Sequence, residues 1–364
     1  MRQTEPSKTQ KINGSTQLET RKKFASKAFN VSSHYDTAIF KYFNEEEVAF
    51  KQSVRENKVL RYGENPHQSA GLYISHKKNG SLANAKIHQG KELSYNNFLD
   101  TDTAMNCVME FDDPACVIVK HVNPCGVAIG VDLNNAYEKS FETDPESAFG
   151  GVIAVNGCVD KRFASTLIEN QFVEVLIAPD FSKDALDALK EKKNIRVISK
   201  KKFEKSSMPY SIQAIDGGFL VQEDDWKIID KDDLEYVTDR KPNNDQILDL
   251  LFAWKVVKQV KSNGIVFVKN EATVGIGSGQ PSRLDSTITA INKSDKLKAK
   301  QPLKGTAMAS DAFFPFADSL KEAVSKGVKS VIQPGGSIRD KEVIDFANKK
   351  GISMVFTGIR AFKH

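Results

Sequence analysis

The sequence predicts an α/β protein, in which helices cover the faces of β-sheets. Short runs of β-branched residues alternate with helical stretches along most of the chain. Apolar runs of this kind, bounded by turn residues, are typical of buried strands. Hydrophobic residues make up 40% of the chain and charged residues 27%, which is the range of soluble globular proteins. The pattern therefore predicts helices packed on sheet faces around a large core.

The predicted elements begin with a helical segment. The polar N-terminus is expected to be frayed. Thr16 and Glu19 have the spacing of a capping box, so a helix is expected from about residue 17 to 29. The next stretch predicts a second helix ending near Asn44, and residues 46–59 are expected to form a linker.

Strands and helices alternate after this linker. Helices are predicted within 243–261 and 339–350, and no repeat of fixed period is found. The predicted strands lie in the runs "ACVIVKH", "GVIAV", "VEVLIA", "IRVIS", "NGIVFVK", "KSVIQ" and "ISMVFT".

Length, charge and cysteine content limit the classes of protein. A chain of 364 residues allows two or three domains. The net charge of +5 favours anionic small molecules, and the dispersed lysines do not favour nucleic acid as a partner. No apolar run is long enough for a membrane span, and no signal peptide is recognised, so a cytoplasmic location is expected. The four cysteines form no C-x-x-C pair, which excludes a zinc ribbon.

The stretch "VIVKHVNPCGVAIG" is the first candidate for catalysis. A predicted strand runs into Lys120 and His121, which supply a cation and a group able to accept a proton near neutral pH. In α/β proteins, ligands bind where strands end. An exposed pair without a function is the alternative, but a predicted turn at Asn123–Gly126 would fix the chain beside the pair.

Two glycine-rich stretches are candidate anion sites. "TVGIGSGQPSR" has glycines at 275, 277 and 279, which would let backbone N–H groups approach an anion. It matches neither the dinucleotide fingerprint nor the P-loop, and a structural turn is the alternative. In "QPGGSIRD", Ser337 is the predicted N-cap of the following helix.

Aromatic and basic side chains form a third kind of candidate. "ASDAFFPFADS" combines carboxylates with phenylalanines, which suits either a core or a flat heteroaromatic ring with amine donors. "LRYGENPHQ" holds more polar donors than an ordinary turn, and "ESAFGGVIA" places two glycines before a strand. The end of the chain, "TGIRAFKH", is expected to be loose unless it is docked into a site.

Together these motifs, in this order, resemble the AICAR transformylase part of the bifunctional AICAR formyltransferase/IMP cyclohydrolase (PurH) family. The resemblance runs from about Leu60 to His364. The motifs that carry it are "LRYGENPHQ", "VKHVNPCGVAIG", "DPESAFGGVIA", "QFVEVLIAP", "KSNGIVFVKN", "GIGSGQPSR", "ASDAFFPF" and "IQPGGSIRD".

The resemblance implies a domain organisation. Residues 1–45 resemble a frayed N-terminus followed by the last helical segment of the cyclohydrolase half, residues 46–59 the linker, and residues 60–364 the transformylase domain. That domain is implied to consist of two cytidine-deaminase-like α/β units that divide near 200–240. The catalytic body of the cyclohydrolase is not recognised, so IMP cyclohydrolase activity is not expected from this chain.

The resemblance also implies an activity and a set of site residues. The activity is transfer of a formyl group from 10-formyltetrahydrofolate, the co-substrate, to the 5-amino group of AICAR. By similarity, His121 accepts the proton and Lys120 stabilises the transition state. The implied AICAR contacts are Arg61, Tyr62, His67, Asn97, Gly150, Glu174, Asn263, Arg283, Phe313 and Arg360. The implied folate contacts are Leu284, Asp318, Ser337 and Ile338.

Other properties are implied by the family alone. Homodimers share active sites across their interface, and some members hold a structural potassium ion. A catalytic zinc ion is not expected, because the deaminase signature H-x-E with P-C-x-x-C is not present. Two alternatives stay open: a bifunctional enzyme, and a non-catalytic AICAR sensor. Lys120 and His121 argue against the sensor, since a protein that only binds needs no proton acceptor.

Overall fold

The computed structural model of the chain describes most of its residues in two compact units. The described residues are 15–44, 49–74, 81–204, 210–296 and 302–364. The first unit comprises Met1–Arg61 and Ser69–Lys78, and the second comprises Tyr62–Gln68 and Asn79–His364. The sequence interpretation of the first residues as frayed falls largely on 1–14, which lie outside the described residues.

In its described residues, the first unit contains one helix and two antiparallel strands. Helix α1 (Leu18–Phe43) is continuous, so the prediction of two separate helices is wrong. Within α1, the hydroxyl groups of Ser32 and Ser33 donate to carbonyls three residues earlier, so these turn-favouring residues are accommodated in the helix. Strands β1 (Arg55–Leu60) and β2 (Ala70–Ile74) pair in antiparallel fashion. The last part of the expected linker is therefore a strand.

The second unit contains a sheet of 12 strands among the described residues. The members, in chain order, are β3 (Lys86–Gln89), β4 (Ala115–Lys120), β5 (Asn123–Ile129), β6 (Gly151–Val155), β8 (Val173–Ala178), β10 (Arg196–Ser199), β13 (Glu235–Tyr236), β14 (Ile265–Lys269), β15 (Ala272–Gly277), β16 (Ala307–Ser310), β17 (Ser330–Gln333) and β18 (Ser353–Phe356). Their order in the sheet is β13-β18-β17-β16-β14-β15-β5-β4-β6-β8-β10-β3. The remaining strands form two small sheets, one of β7 (Cys158–Val159) and β9 (Asp180–Phe181), the other of β11 (Tyr210–Ile215) and β12 (Gly218–Glu223).

Helices cover both faces of this sheet, which confirms the predicted α/β class. The helices are α2 (Tyr95–Val108), α3 (Leu133–Thr143), α4 (Pro145–Ala148), α5 (Lys161–Asn170), α6 (Lys183–Leu189), α7 (Asn244–Val257), α8 (Arg283–Ser294), α9 (Asp318–Ser325) and α10 (Asp340–Lys349). Alternate residues of β4 enter different cores: Val117 and Val119 pack with α2 and α7, whereas Cys116 and Ile118 pack with α3 and α5. Burial on both faces explains why these strands are almost continuously apolar.

The second unit contains the same arrangement twice. In the first half, helix α2 precedes the β4–β5 hairpin, helix α3 follows it, and parallel strands β6, β8 and β10 complete the set. In the second half, α7, the β14–β15 hairpin, α8 and parallel strands β16, β17 and β18 repeat this order. The halves join through the antiparallel pair β15 and β5. No repeat of fixed period was found in the sequence, because this repeat lies in the order and pairing of the elements.

None of the described helices is long and apolar enough to cross a membrane.

Candidate functional site

The tight turn between β4 and β5 places Lys120 and His121. His121 and Val122 form the turn with φ angles of 54° and 62°, in the left-handed region. Non-glycine residues are uncommon there, and a β-branched residue such as Val122 is an outlier. The carboxylate of Asp100, on α2, accepts a hydrogen bond of 2.6 Å from the backbone N–H of Val122. Helix α2 therefore holds the turn in an otherwise unfavourable conformation.

The predicted turn at Asn123–Gly126 is wrong. These four residues lie in strand β5, and the chain reverses earlier, at His121 and Val122. Pro124 is accommodated because the pairing of β4 with β5 shifts register beside it. Gly126 is needed for packing, since a Cβ there would lie 1.9 Å from the carbonyl oxygen of Ser140 on α3.

Lys120 lies beside the chain that precedes strand β6. Its Nζ donates a hydrogen bond of 2.7 Å to the carbonyl oxygen of Phe149. The next residue, Gly150, has a φ of 72° and donates its N–H to the carbonyl of Phe172 at 2.8 Å. The structure thus places Lys120 beside Phe149 and Gly150, next to the turn that carries His121, and the catalytic and binding roles of these residues stay predictions.

A buried network surrounds Arg283 at the start of α8. Its Nη1 donates to Asp311 Oδ1 at 2.5 Å, and its Nη2 donates to Asn263 Oδ1 at 2.7 Å. The side chains of Arg283 and Asp311 are only 7% and 0% exposed. The resemblance named Arg283 and Asn263 but not Asp311, which is one of two carboxylates among the phenylalanines of "ASDAFFPFADS". A carboxylate between strand β16 and Phe313 was the signal that could have found it.

The hairpin turn and the Arg283 network are adjacent. Asn123, at the start of β5, accepts a hydrogen bond of 3.0 Å through Oδ1 from the backbone N–H of Lys261. The following residue, Ser262, donates its hydroxyl to Asp311 Oδ2 at 2.6 Å. Hydrogen bonds from the consecutive residues Lys261 and Ser262 therefore connect the strand that follows the His121 turn to the carboxylate that holds Arg283.

The segment that follows Ile359 is docked against this network. The N–H of Ala361 donates to the carbonyl of Asp311 at 2.8 Å. Ser262 and Lys363 exchange two bonds: the N–H of Ser262 donates to the carbonyl of Lys363, and Ser262 Oγ accepts from the N–H of Lys363. Burial lowers the pKa of Lys363. Arg360 is thereby held near the network, with its guanidinium 4.9 Å from the ring centre of Phe362.

Three of the four implied folate contacts lie on two neighbouring segments. Asp318 is the first residue of α9, and Ser337 and Ile338 lie in the loop before α10. The segments meet where the Arg339 guanidinium lies 4.6 Å from the ring centre of Phe316. Leu284 follows Arg283 in the first turn of α8, and Phe313 and Ile338 are both exposed.

Two sequence interpretations in these loops are wrong. Ser337 is not the N-cap of α10, which begins at Asp340 because the Asp340 carboxylate accepts from the N–H groups of Gly336 and Ser337. Gly275 and Gly277 do not form an anion loop. They lie in β15, where a Cβ on Gly277 would lie 1.9 Å from the carbonyl oxygen of Ser286, so these glycines let α8 pack closely on the sheet.

The other implied AICAR contacts are more scattered. Asn97 forms a capping box with Ser94 at the start of α2, and Asn96 donates to the carbonyl of Glu64, which places the 62–68 segment, with Tyr62 and His67, at that end of α2. Glu174, on β8, forms an ion pair of 2.5 Å with Arg196. Arg61 is an exposed residue of the first unit, directly after β1. The contacts of these residues with AICAR stay predictions.

Metal-binding side chains are not clustered in the part of the chain that the structure describes: no three His, Cys, Asp or Glu residues there could hold a metal ion together. Cys107, Cys116 and Cys125 are buried, and burial raises the pKa of Cys116 and Cys125 to about 12. These thiols are therefore structural rather than reactive.

Comparisons with known proteins converge on one family. The family model described as AICARFT/IMPCHase bienzyme matches residues 4–293. The bifunctional purine biosynthesis protein PurH of Persephonella marina is 50% identical over 97% of this chain and 70% of its own length. The proteins of the same name from Caldicellulosiruptor saccharolyticus and Caldicellulosiruptor bescii are each 46% identical, over 97% of this chain and 69% of their own lengths.

Proposed function

The chain belongs to the AICARFT/IMPCHase bienzyme family of purine biosynthesis, and we propose that it catalyses formyl transfer from 10-formyltetrahydrofolate to the 5-amino group of AICAR. The products are formyl-AICAR and tetrahydrofolate. The observation that carries this proposal is the left-handed turn that presents Lys120 and His121 together, next to a buried arginine network.

The chemistry requires a base and a cation at one place. The 5-amino group of AICAR is a poor nucleophile, because its lone pair is delocalised into the imidazole and the carboxamide. Its nitrogen attacks the formyl carbon, and the formyl oxygen gains negative charge in the tetrahedral transition state. His121 takes the proton from the amine, and the Lys120 ammonium stabilises the developing charge. The bond from the formyl carbon to N10 of the folate then breaks, and protonated His121 returns its proton to the leaving N10.

Two arginines near the turn, Arg283 and Arg360, suit an anionic nucleotide. Arg283 is oriented by Asp311 and Asn263, and Arg360 is held by the docked end segment. We assign both to AICAR, and Arg61 to its phosphate, because a guanidinium binds phosphate through two parallel hydrogen bonds. Tyr62, His67, Asn97, Gly150, Glu174, Asn263 and Phe313 complete the proposed AICAR contacts.

The proposed folate contacts combine an apolar surface with a carboxylate. Exposed Ile338 and the side chain of Leu284 would pack on the pterin ring, and Asp318 would accept hydrogen bonds from its amine donors. Ser337 supplies a further polar group. The homodimer with shared sites, the structural potassium ion and the cytoplasmic location stay predictions.

A single substitution tests the role of His121. We choose His121→Asn, because Asn tolerates the left-handed conformation and occupies the corresponding turn position 270. The variant keeps the turn but removes the proton acceptor, so kcat is expected to fall by at least about 100-fold. AICAR affinity should stay within about tenfold, or 1.4 kcal/mol. His88→Asn, on strand β3, is the matched control and should leave kcat unchanged.

The assay follows tetrahydrofolate absorbance and identifies the nucleotide product by mass. Equal loss of kcat and affinity in His121→Asn would contradict the assigned role. AICAR binding by the unmodified chain without any turnover would favour the sensor. IMP among the products would show that the same chain also carries cyclohydrolase activity, which the proposal does not expect.

A further inference from the structure

The second unit builds the same left-handed turn twice, each time with a carboxylate beneath it. At the second hairpin, Asn270 and Glu271 both have a φ of 53°. Asp249, on α7, accepts hydrogen bonds from the N–H groups of Asn270 at 3.1 Å and Glu271 at 2.7 Å. Asp249 stands in α7 where Asp100 stands in α2, since the same number of residues separates each aspartate from its turn.

The two turns differ in the side chains that they present. The first carries Lys120 and His121, and the second carries Lys269 and Asn270 at the same positions. Lys269 donates to the carbonyl of Lys304 at 3.1 Å, and an Asn side chain is not a base at neutral pH. At the second turn, the Asp249 carboxylate therefore holds a left-handed backbone that presents no histidine.

We propose that Asp100 is a positioning residue for formyl transfer, which holds the His121 backbone and stabilises the positive charge that the imidazole gains when it accepts a proton. This inference rests on the proposed function. Its two parts are separable, because Asp249 performs the first part at a turn that has no histidine.

The surroundings of Asp100 support an electrostatic part. Burial raises the pKa of Asp100, while hydrogen bonds from the backbone N–H groups of Val122 and His121 and the charge on the His121 ring oppose this rise. The bond of 2.6 Å from the Val122 N–H favours the charged form of the carboxylate and fixes it at the turn that carries His121.

The test compares Asp100→Asn with Asp249→Asn in the full chain. Asn keeps an acceptor for the turn but removes the charge, so both variants should lose a similar amount of thermal stability. Asp100→Asn is expected to lower kcat by at least about tenfold, or 1.4 kcal/mol, with KM for AICAR changed less than about twofold. Asp249→Asn should keep the kcat of the unmodified chain. Asp100→Ala should be worse than Asp100→Asn, so that Asn acts as a partial rescue.

Several outcomes would overturn the inference. Equal kcat values in Asp100→Asn and Asp249→Asn would show that the charge of Asp100 has no part in the reaction. A loss that appears only in KM would place Asp100 in binding. If Asp100→Asn does not fold, it can be combined with Val122→Gly, which relieves the strain in the turn. The double variant Asp100→Asn/Val122→Gly must then have a kcat at least about tenfold below that of Val122→Gly alone. An inactive unmodified chain would instead reject the proposed function.

Discussion

Replacement of Asp311 by Ala should be among the most damaging single changes in this protein. The substitution removes the partner of Arg283, whose Nη1 lies 2.5 Å from Asp311 Oδ1 with both side chains almost fully buried. Breaking a buried ion pair by removing one partner costs about 3–5 kcal/mol, because the remaining charge is left without compensation. Ser262 also loses the acceptor for its hydroxyl, which adds about 1 kcal/mol. The free energy of unfolding should therefore fall by about 4–6 kcal/mol.

Urea denaturation of the full chain measures this loss, with Asp295→Ala as the control. Asp295 forms an ion pair of 3.2 Å with Lys326 at the surface, where the side chains are 47% and 43% exposed. Such a pair contributes about 0–1 kcal/mol. The reasoning would be refuted if Asp311→Ala cost no more than Asp295→Ala. The KM for AICAR should also rise in Asp311→Ala, since Arg283 loses the group that orients it.

Two further predictions concern packing and pH. Gly126→Ala should lower the melting temperature, because the new Cβ would lie 1.9 Å from the Ser140 carbonyl oxygen and overpacking costs about 1–3 kcal/mol. Gly218→Ala is the control, since a Cβ there would have no heavy atom within 4 Å. Equal melting temperatures of the two variants would contradict the steric argument. Asp144→Asn should destabilise the protein at pH 7 and lose this effect in acid. Burial raises the pKa of Asp144, but hydrogen bonds from Ser147 and the Lys293 ammonium outweigh burial, so the folded-state pKa lies below the ordinary value. Its stabilisation is thus present above about pH 4, the unfolded pKa of aspartate, and is lost as pH falls through the folded pKa. A difference in unfolding free energy that persists at about pH 2 would contradict this assignment.

The strands of the central sheet could be predicted, because their apolar runs are the direct result of burial on both faces. "ACVIVKH" corresponds to Ala115–Lys120, and "VEVLIA" corresponds to Val173–Ala178. Strand β5 could not be predicted in the same way, since Pro124 and Gly126 are turn residues in most contexts. Both are tolerated for reasons that lie elsewhere in the chain: a register shift against β4, and the close approach of Ser140.

The candidate site shows the same division between local and distant causes. Lys120 and His121 could be found because they stand where a strand ends. Asp100 and Asp311 could not be assigned, since Asp100 acts on a turn 22 residues away and Asp311 binds Arg283 across 28 residues. Both are ordinary acidic residues in the sequence, and only the folded chain gives each of them a partner.

The duplicated hairpin provides an internal comparison between a left-handed turn that contains a histidine and one that does not. A carboxylate that fixes a left-handed turn is needed by the backbone in either half, so the loss of Asp249 or of Asp100 should cost folding stability whether or not the residue influences chemistry. A stability measurement alone would therefore not distinguish the two. A comparison of the two halves removes what the architecture requires of both, and at the turns it leaves His121 and Val122 where the second half has Asn270 and Glu271.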